Sequence, residues 1–185
     1  PDYLETATFV LAAMLTHGRV VVKNIVPSHL TAFWAVLKKM GAKFSLGKNF
    51  VKIAPSKNLK AYALIKTAPH PGFPTDLQSP FAVLLTQCKG ESRIHETLFE
   101  GRLNYLEELK KMKARIEVLN EHEAVISGPV KLRPAPIVSH NIRAGVAMIL
   151  AALAAKGRSV VSNIPYVDRG HERFDERLNS LGARI

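Results

Sequence analysis

Three stretches of the chain are apolar almost without interruption: FVLAAML, FAVLLT and AGVAMILAALAA. A helix with no polar face is buried on every side, so each stretch predicts an inner helix. After them come Gly18, Gly90 and Gly157, a residue type suited to ending a helix. Short β-branched runs follow, as in RVVVKNI and RSVVSNI, and predict strands. Apolar residues then return at intervals of four and three: Phe33, Leu37, Met40; Tyr105, Leu109, Met112; Phe174, Leu178, Leu181. That spacing is one face of an amphipathic helix, starting near Ser28, near Gly101 and near His171. Two short strands, AKFSL and FVKIA around the turn Gly47-Lys48-Asn49, close the first unit.

The order helix, strand, helix, strand, strand therefore occurs three times. Six residues beyond the glycines stand Asn24, Glu96 and Asn163, and Ala42, Ala114 and Ala183 follow 24, 24 and 26 residues after them. The pattern predicts a single α/β (α+β) domain over 1–185, with repeats of roughly 5–66, 73–138 and 139–185. Apolar helices lie inside it and short-stranded sheets outside. The third copy stops at Ile185, where its next strand would begin. The sheet there is expected to keep an unpaired edge, prone to pairing between chains. The chain reads as a piece of a longer protein, because Pro1-Asp2 leads at once into a helix.

Charge changes this picture little. The formal net charge is +11. Lys/Arg against Asp/Glu counts are nine to two in residues 1–60, eight to nine in 61–125 and nine to four in 126–185. The excess is diffuse and few aromatics are interleaved with it, so no stacking platform for nucleic acid is evident. A basic polyanion-binding module is the competing reading. No apolar run reaches the roughly 18–20 residues of a membrane span, and the start lacks the basic region of a signal peptide. Cys88, the single cysteine, falls in the apolar stretch of the second copy and reads as a buried small hydrophobe. One unpaired cysteine suits a reducing cytoplasm. The seven histidines show no metal spacing, and neither CxxC, HExxH nor a glycine-rich phosphate loop occurs, so neither metal nor cofactor is expected.

One segment departs from ordinary loop chemistry. PHPGFPTD, from Pro69 to Asp76, places three prolines and a glycine just before a carboxylate at the head of an inner helix. Each proline fixes its own φ and restricts the residue before it, so Asp76 is delivered with little conformational freedom. Thr75 or Asp76 would also serve as a helix cap. A helix N-terminus lowers the pKa of an aspartate beside it.

The fold pattern resembles the enolpyruvyl transferases. TAPHPGFPTDLQ, with PDYLETATF, ETLFEGR and VDRGHERFDERL, narrows the likeness to the UDP-N-acetylglucosamine enolpyruvyl transferases, over essentially the whole chain. The shikimate-pathway sister enzyme lacks the proline-rich run and is the alternative. The resemblance implies the second of two domains, whose partner carries the reactive cysteine loop. It implies transfer of enolpyruvyl from phosphoenolpyruvate to the 3-hydroxyl of UDP-N-acetylglucosamine, the first committed step of peptidoglycan synthesis, with this piece inactive alone. Asp76 would act on the sugar hydroxyl, by orienting it more than by holding its proton. Arg169 would grip an anionic group of phosphoenolpyruvate, unless it pairs with Asp168 or Glu172. Arg143 occupies the position in the third copy that Asp76 occupies in the second, and matches a family arginine at the same site. Leu98 and Phe99 would lie along the nucleotide sugar, or simply pack after a strand. Asn141 stands where the family usually has aspartate, keeping an acceptor oxygen without the charge. Asp2 would take part in the closed state, while Glu5 favours a helix N-terminus.

Overall fold

A computed structural model describes residues 1–185. The three apolar stretches form α1 (Tyr3–Leu15), α3 (Gln78–Leu85) and α5 (Ile142–Ala154), which pack on one another at the centre. Every residue of α3 is buried, as is every residue of α1 from Thr6 onward. The amphipathic helices are α2 (Thr31–Lys39), α4 (Tyr105–Lys111) and α7 (Phe174–Ser180). Each starts about three residues later than the spacing predicts. A 3-10 turn, Pro27–Leu30, precedes α2, and the short helix α6 (Pro165–Asp168) precedes α7.

Sheets cover the outside. In the first, β1 (Val20–Lys23), β2 (Phe44–Leu46) and β3 (Phe50–Ile53) run antiparallel in the order β1-β3-β2, with the predicted turn joining β2 to β3. The second has the order β4-β5-β7-β6, from β4 (Leu64–Lys66), β5 (Gly90–His95), β6 (Arg115–Asn120) and β7 (Glu123–Gly128). The third pairs β8 (Pro136–Val138) with β9 (Val160–Ser162) in parallel. Both β4 and β8 come at the end of one copy in sequence, yet each adds parallel to the leading strand of the next copy's sheet. Consecutive repeats are thereby laced together.

The glycines do other work than capping. After α1 the left-handed residue is His17 (φ 53°), and Gly90 (φ 114°) opens β5 instead of ending α3. Cys88 lies just past α3; its thiol donates to the Leu84 carbonyl at 3.2 Å, and burial pushes its pKa up to about 12.

The third repeat is the least covered. Met40 and Met112 are 0% exposed, whereas their counterpart Leu181 is 55% exposed. A groove of about 1220 Å³ runs there between α1, α5 and α7, lined by Phe9, Ile149, Leu153, Val161 and Leu181 among others. In the other two repeats a hairpin strand packs inward at this level, burying Val51 and Ile53, and Ala124 and Ile126. The outer edge of β9 has no partner strand. First and third repeats nonetheless touch directly. Phe9 meets Phe174 edge-on at 5.6 Å, Thr8 Oγ1 lies 3.0 Å from His171 Nε2, and Arg177 donates to Glu5 Oε1 at 2.6 Å.

Candidate active site

The proline-rich loop is fixed by more than its prolines. Ala68 N–H donates to the Phe73 carbonyl and Gly72 N–H to that of Pro69. Buried Phe73 packs edge-on against Phe81 of α3 at 5.1 Å. The loop delivers Thr75–Leu77 as a single 3-10 turn leading straight into α3. Neither Thr75 nor Asp76 caps the helix; the preceding position is Pro74, and no side-chain cap bond forms.

Asp76 is held by two guanidinium groups. Arg102 Nη1 donates to its Oδ1 at 3.1 Å, and Arg143 Nε donates to the same oxygen. Oδ2 takes part in neither bond. Burial pushes the carboxyl pKa up, but the hydrogen bonds from Arg143 and Arg102, with their charges, outweigh it and leave it below the ordinary 3.8. The lowered value expected from a helix N-terminus is present, and the arginines are its main source. Tyr3, at the head of α1, shares this neighbourhood. Burial first, then the negative charges of Asp76 and Asp2, push its hydroxyl pKa up.

The second copy supplies the adjoining wall. Arg102 lies over the Phe99 ring, 4.1 Å from its centroid, in cation–π contact. Phe99 is 49% exposed and Leu98 39%, so neither is buried in the core. Arg102 Nη1 also reaches Thr75 Oγ1 at 3.3 Å. Thr75 in turn donates to Glu96 Oε2 at 2.7 Å.

The other predicted residues are placed less centrally. Asn141 caps α5, its Oδ1 accepting from the N–H groups of Arg143 (3.1 Å) and Ala144 (2.9 Å). Its acceptor oxygen thus orients the helix that carries Arg143. Asp2 caps α1 in the same way, accepting from Leu4 and Glu5. Glu5 leaves the helix end and accepts from Arg177 and the Glu172 N–H. Arg169 ends α6, exposed and without an ion pair to Asp168, Glu172 or Asp76. Its neighbour Gly170 lies against Ile142, so close that a Cβ there would sit 2.5 Å from Ile142 Cγ2. The chain at Gly170 thus runs beside the first turn of α5, and the Arg169 guanidinium makes no hydrogen bond or ion pair.

Sequence reasoning passes over Arg102, Glu96 and Tyr3. Arg102 has a local signal: three residues after Phe99, it is placed to stack on that ring. Chemically, the cluster offers a deprotonated carboxylate of fixed orientation, two guanidiniums on it and an apolar shelf. That set suits orienting a hydroxyl beside bound anionic groups.

A family profile described as EPSP synthase (3-phosphoshikimate 1-carboxyvinyltransferase) matches residues 1–178. Among curated proteins, UDP-N-acetylglucosamine 1-carboxyvinyltransferase 2 of Clostridium acetobutylicum is 43% identical over 185 residues, which is 100% of this chain and 44% of the relative. UDP-N-acetylglucosamine 1-carboxyvinyltransferase of Pelagibacter ubique is 42% identical, with 100% and 44% covered. Among solved structures, the enolpyruvyl transferase NikO from Streptomyces tendae superposes with a TM-score of 0.91 at 25% identity, covering 100% of this chain and 43% of that one. EPSP synthase from Acinetobacter baumannii gives 0.77 at 20% identity over 98% of this chain and 46% of that one, a likeness of fold. The chain spans less than half the length of the relatives it matches.

Proposed function

Because the chain belongs to the EPSP synthase family, we propose that it is one wall of the active-site cleft of a UDP-N-acetylglucosamine 1-carboxyvinyltransferase. The names of the relatives at 42–43% identity support this acceptor over shikimate 3-phosphate. The observation that carries the reading is the Asp76 carboxylate, aimed by a rigid loop and gripped by Arg102 and Arg143 beside the exposed Leu98 and Phe99.

In this reading the nucleotide sugar lies along Leu98 and Phe99, with its 3-hydroxyl donating to Asp76. Phosphoenolpyruvate brings a phosphate and a carboxylate, which Arg143 and the unengaged Arg169 bind as the cleft closes. The hydroxyl oxygen adds to C2 of this enol phosphate, its proton leaving through the acceptor at Asp76, while C3 takes up a proton to become a methyl group. Loss of a C3 proton together with departure of phosphate from C2 then restores the double bond and leaves the enol ether. A carboxylate held below its ordinary pKa contributes more by orientation and by charge than as a strong base. Asn141 and Asp2 serve this site by fixing the helices that bear Arg143 and Tyr3. The enzyme works in the cytoplasm, a compartment that suits the unpaired, buried Cys88. No helix here is long and apolar enough to cross a membrane. The bare edge of β9 supports pairing between copies.

The test joins this chain to the remaining part of such an enzyme and follows phosphate release from phosphoenolpyruvate. Turnover is expected with UDP-N-acetylglucosamine and not with shikimate 3-phosphate, and the 185-residue chain alone should release nothing above background. Asp76→Asn should lower kcat by roughly 10²–10⁴-fold. Turnover preferring shikimate 3-phosphate, or an unimpaired Asp76→Asn variant, would overturn the reading.

A further inference from the structure

We propose that Glu96 is the positioning residue of this site, a buried carboxylate that holds Asp76, through Thr75, and the Leu98 backbone in one fixed relation. The inference rests on the functional reading above for its meaning and on the following geometry for its substance. Glu96 is 0% exposed. Its Oε1 accepts from Thr67 Oγ1 and from the Leu98 N–H, both at 2.9 Å, and its Oε2 accepts from Thr75 Oγ1 at 2.7 Å. Its own backbone is pinned by His122, whose carbonyl accepts the Glu96 N–H at 2.8 Å and whose Nδ1 lies 3.1 Å from the Glu96 carbonyl oxygen. A rigid backbone thus carries a rigid carboxylate. That carboxylate fixes the residue before Asp76 with one oxygen and the first residue of the sugar shelf with the other.

The other two copies of the repeat do without this group. At the equivalent position the first and third copies have Asn24 and Asn163, both exposed and both left-handed (φ 57° and 62°). Only the copy with the candidate site buries an acid there. The same copy lacks the side-chain cap that Asp2 and Asn141 give the other inner helices. Burying a carboxylate is costly unless its lone pairs are met. Here three donors meet them, two belonging to Thr75 and Leu98, which flank the proposed chemistry.

The experiment compares Glu96→Ala, Glu96→Gln and Thr75→Val in this chain, by NMR titration of the Asp76 carboxyl and exchange of the Leu98 amide, with thermal midpoints as control. Glu96→Ala should speed Leu98 exchange about tenfold or more, as loss of an ordinary hydrogen bond allows, and shift the Asp76 titration toward its ordinary value. Thr75→Val should shift Asp76 and leave Leu98 protected. Glu96→Gln, which keeps an acceptor for Leu98 and can donate to Thr75, should stay near wild type on both. A folded Glu96→Ala chain unchanged in both readouts would overturn the proposal, as would a Thr75→Val chain unchanged at Asp76. Should Glu96→Ala not fold, the Thr75→Val result decides alone. In the joined enzyme, Thr75→Val should cut kcat about 10–100-fold with little change in the nucleotide-sugar KM. A joined enzyme without turnover in wild-type form would sink the functional reading, while the NMR result would still decide the role of Glu96.

Discussion

Opposing effects decide the charge state of single residues here. At Asp76 burial favours the protonated acid, and two guanidiniums reverse the outcome. His171 has no such rescue. Burial is the largest influence and lowers its pKa; Glu5 and Asp2 pull upward, Arg177 lowers it further, and the net value falls below 6.5. The folded protein therefore holds a neutral ring against Thr8, with Nδ1 unpartnered. As pH falls through 6.5 the unfolded chain takes up the proton first, so the contribution of His171 to stability is complete above that value and declines below it. Urea midpoints should fall between about pH 7.5 and 5.5, and the fall should flatten in His171→Phe; an equal slope in the variant would contradict this. Asp76 and Glu108, whose folded pKa values lie below 3.8 and 4.5, lose their contributions only in a more acid window. Asp76 stood out in the sequence through the proline-rich loop before it, and Arg143 through the family resemblance, with a repeat position like that of Asp76. Glu96 did not, because the meaning of an acid in place of asparagine emerges only once Thr75 and Leu98 fold against it.

At the level of elements, the inner helices are alike in apolar content and unlike in how they begin. Asp2 and Asn141 cap α1 and α5 by side chain, whereas α3 starts from Pro74 and a 3-10 turn. Asn141→Ala should cost about 1 kcal/mol in urea unfolding, and Asn141→Asp should cost nothing, since either residue caps well. An undiminished midpoint in the alanine variant would show that the cap contributes nothing. Periodicity revealed which helices are buried, since an apolar circumference can be read directly. It placed α2, α4 and α7 a few residues too early, because backbone geometry just before them is not recorded in apolar spacing: Pro27–Leu30 winds as a 3-10 turn, and Arg173 is left-handed at φ 45°, so α7 begins only at Phe174. The lacing by β4 and β8 was also invisible: strand partners are chosen across space, and a run such as LIK carries no record of which sheet receives it.

In the whole molecule, each sheet shelters one side of the central helices, and α5 is the least sheltered because its repeat has only β8 and β9. The three-copy pattern fixed this inside-out architecture in advance through its three polar-free helices. The bonds from Glu5 and Thr8 to Arg177 and His171, however, join the first copy to the last across more than 160 residues. Repeats that met only their neighbours in sequence would melt from a free end, in stages. Here the circle is closed, so no repeat is terminal, and heating should give a single calorimetric peak whose van't Hoff and measured enthalpies agree. Glu5→Ala with Thr8→Val removes two of these links and leaves Phe9 against Phe174 and α1 on α5, so the thermal midpoint should fall while the peak stays single.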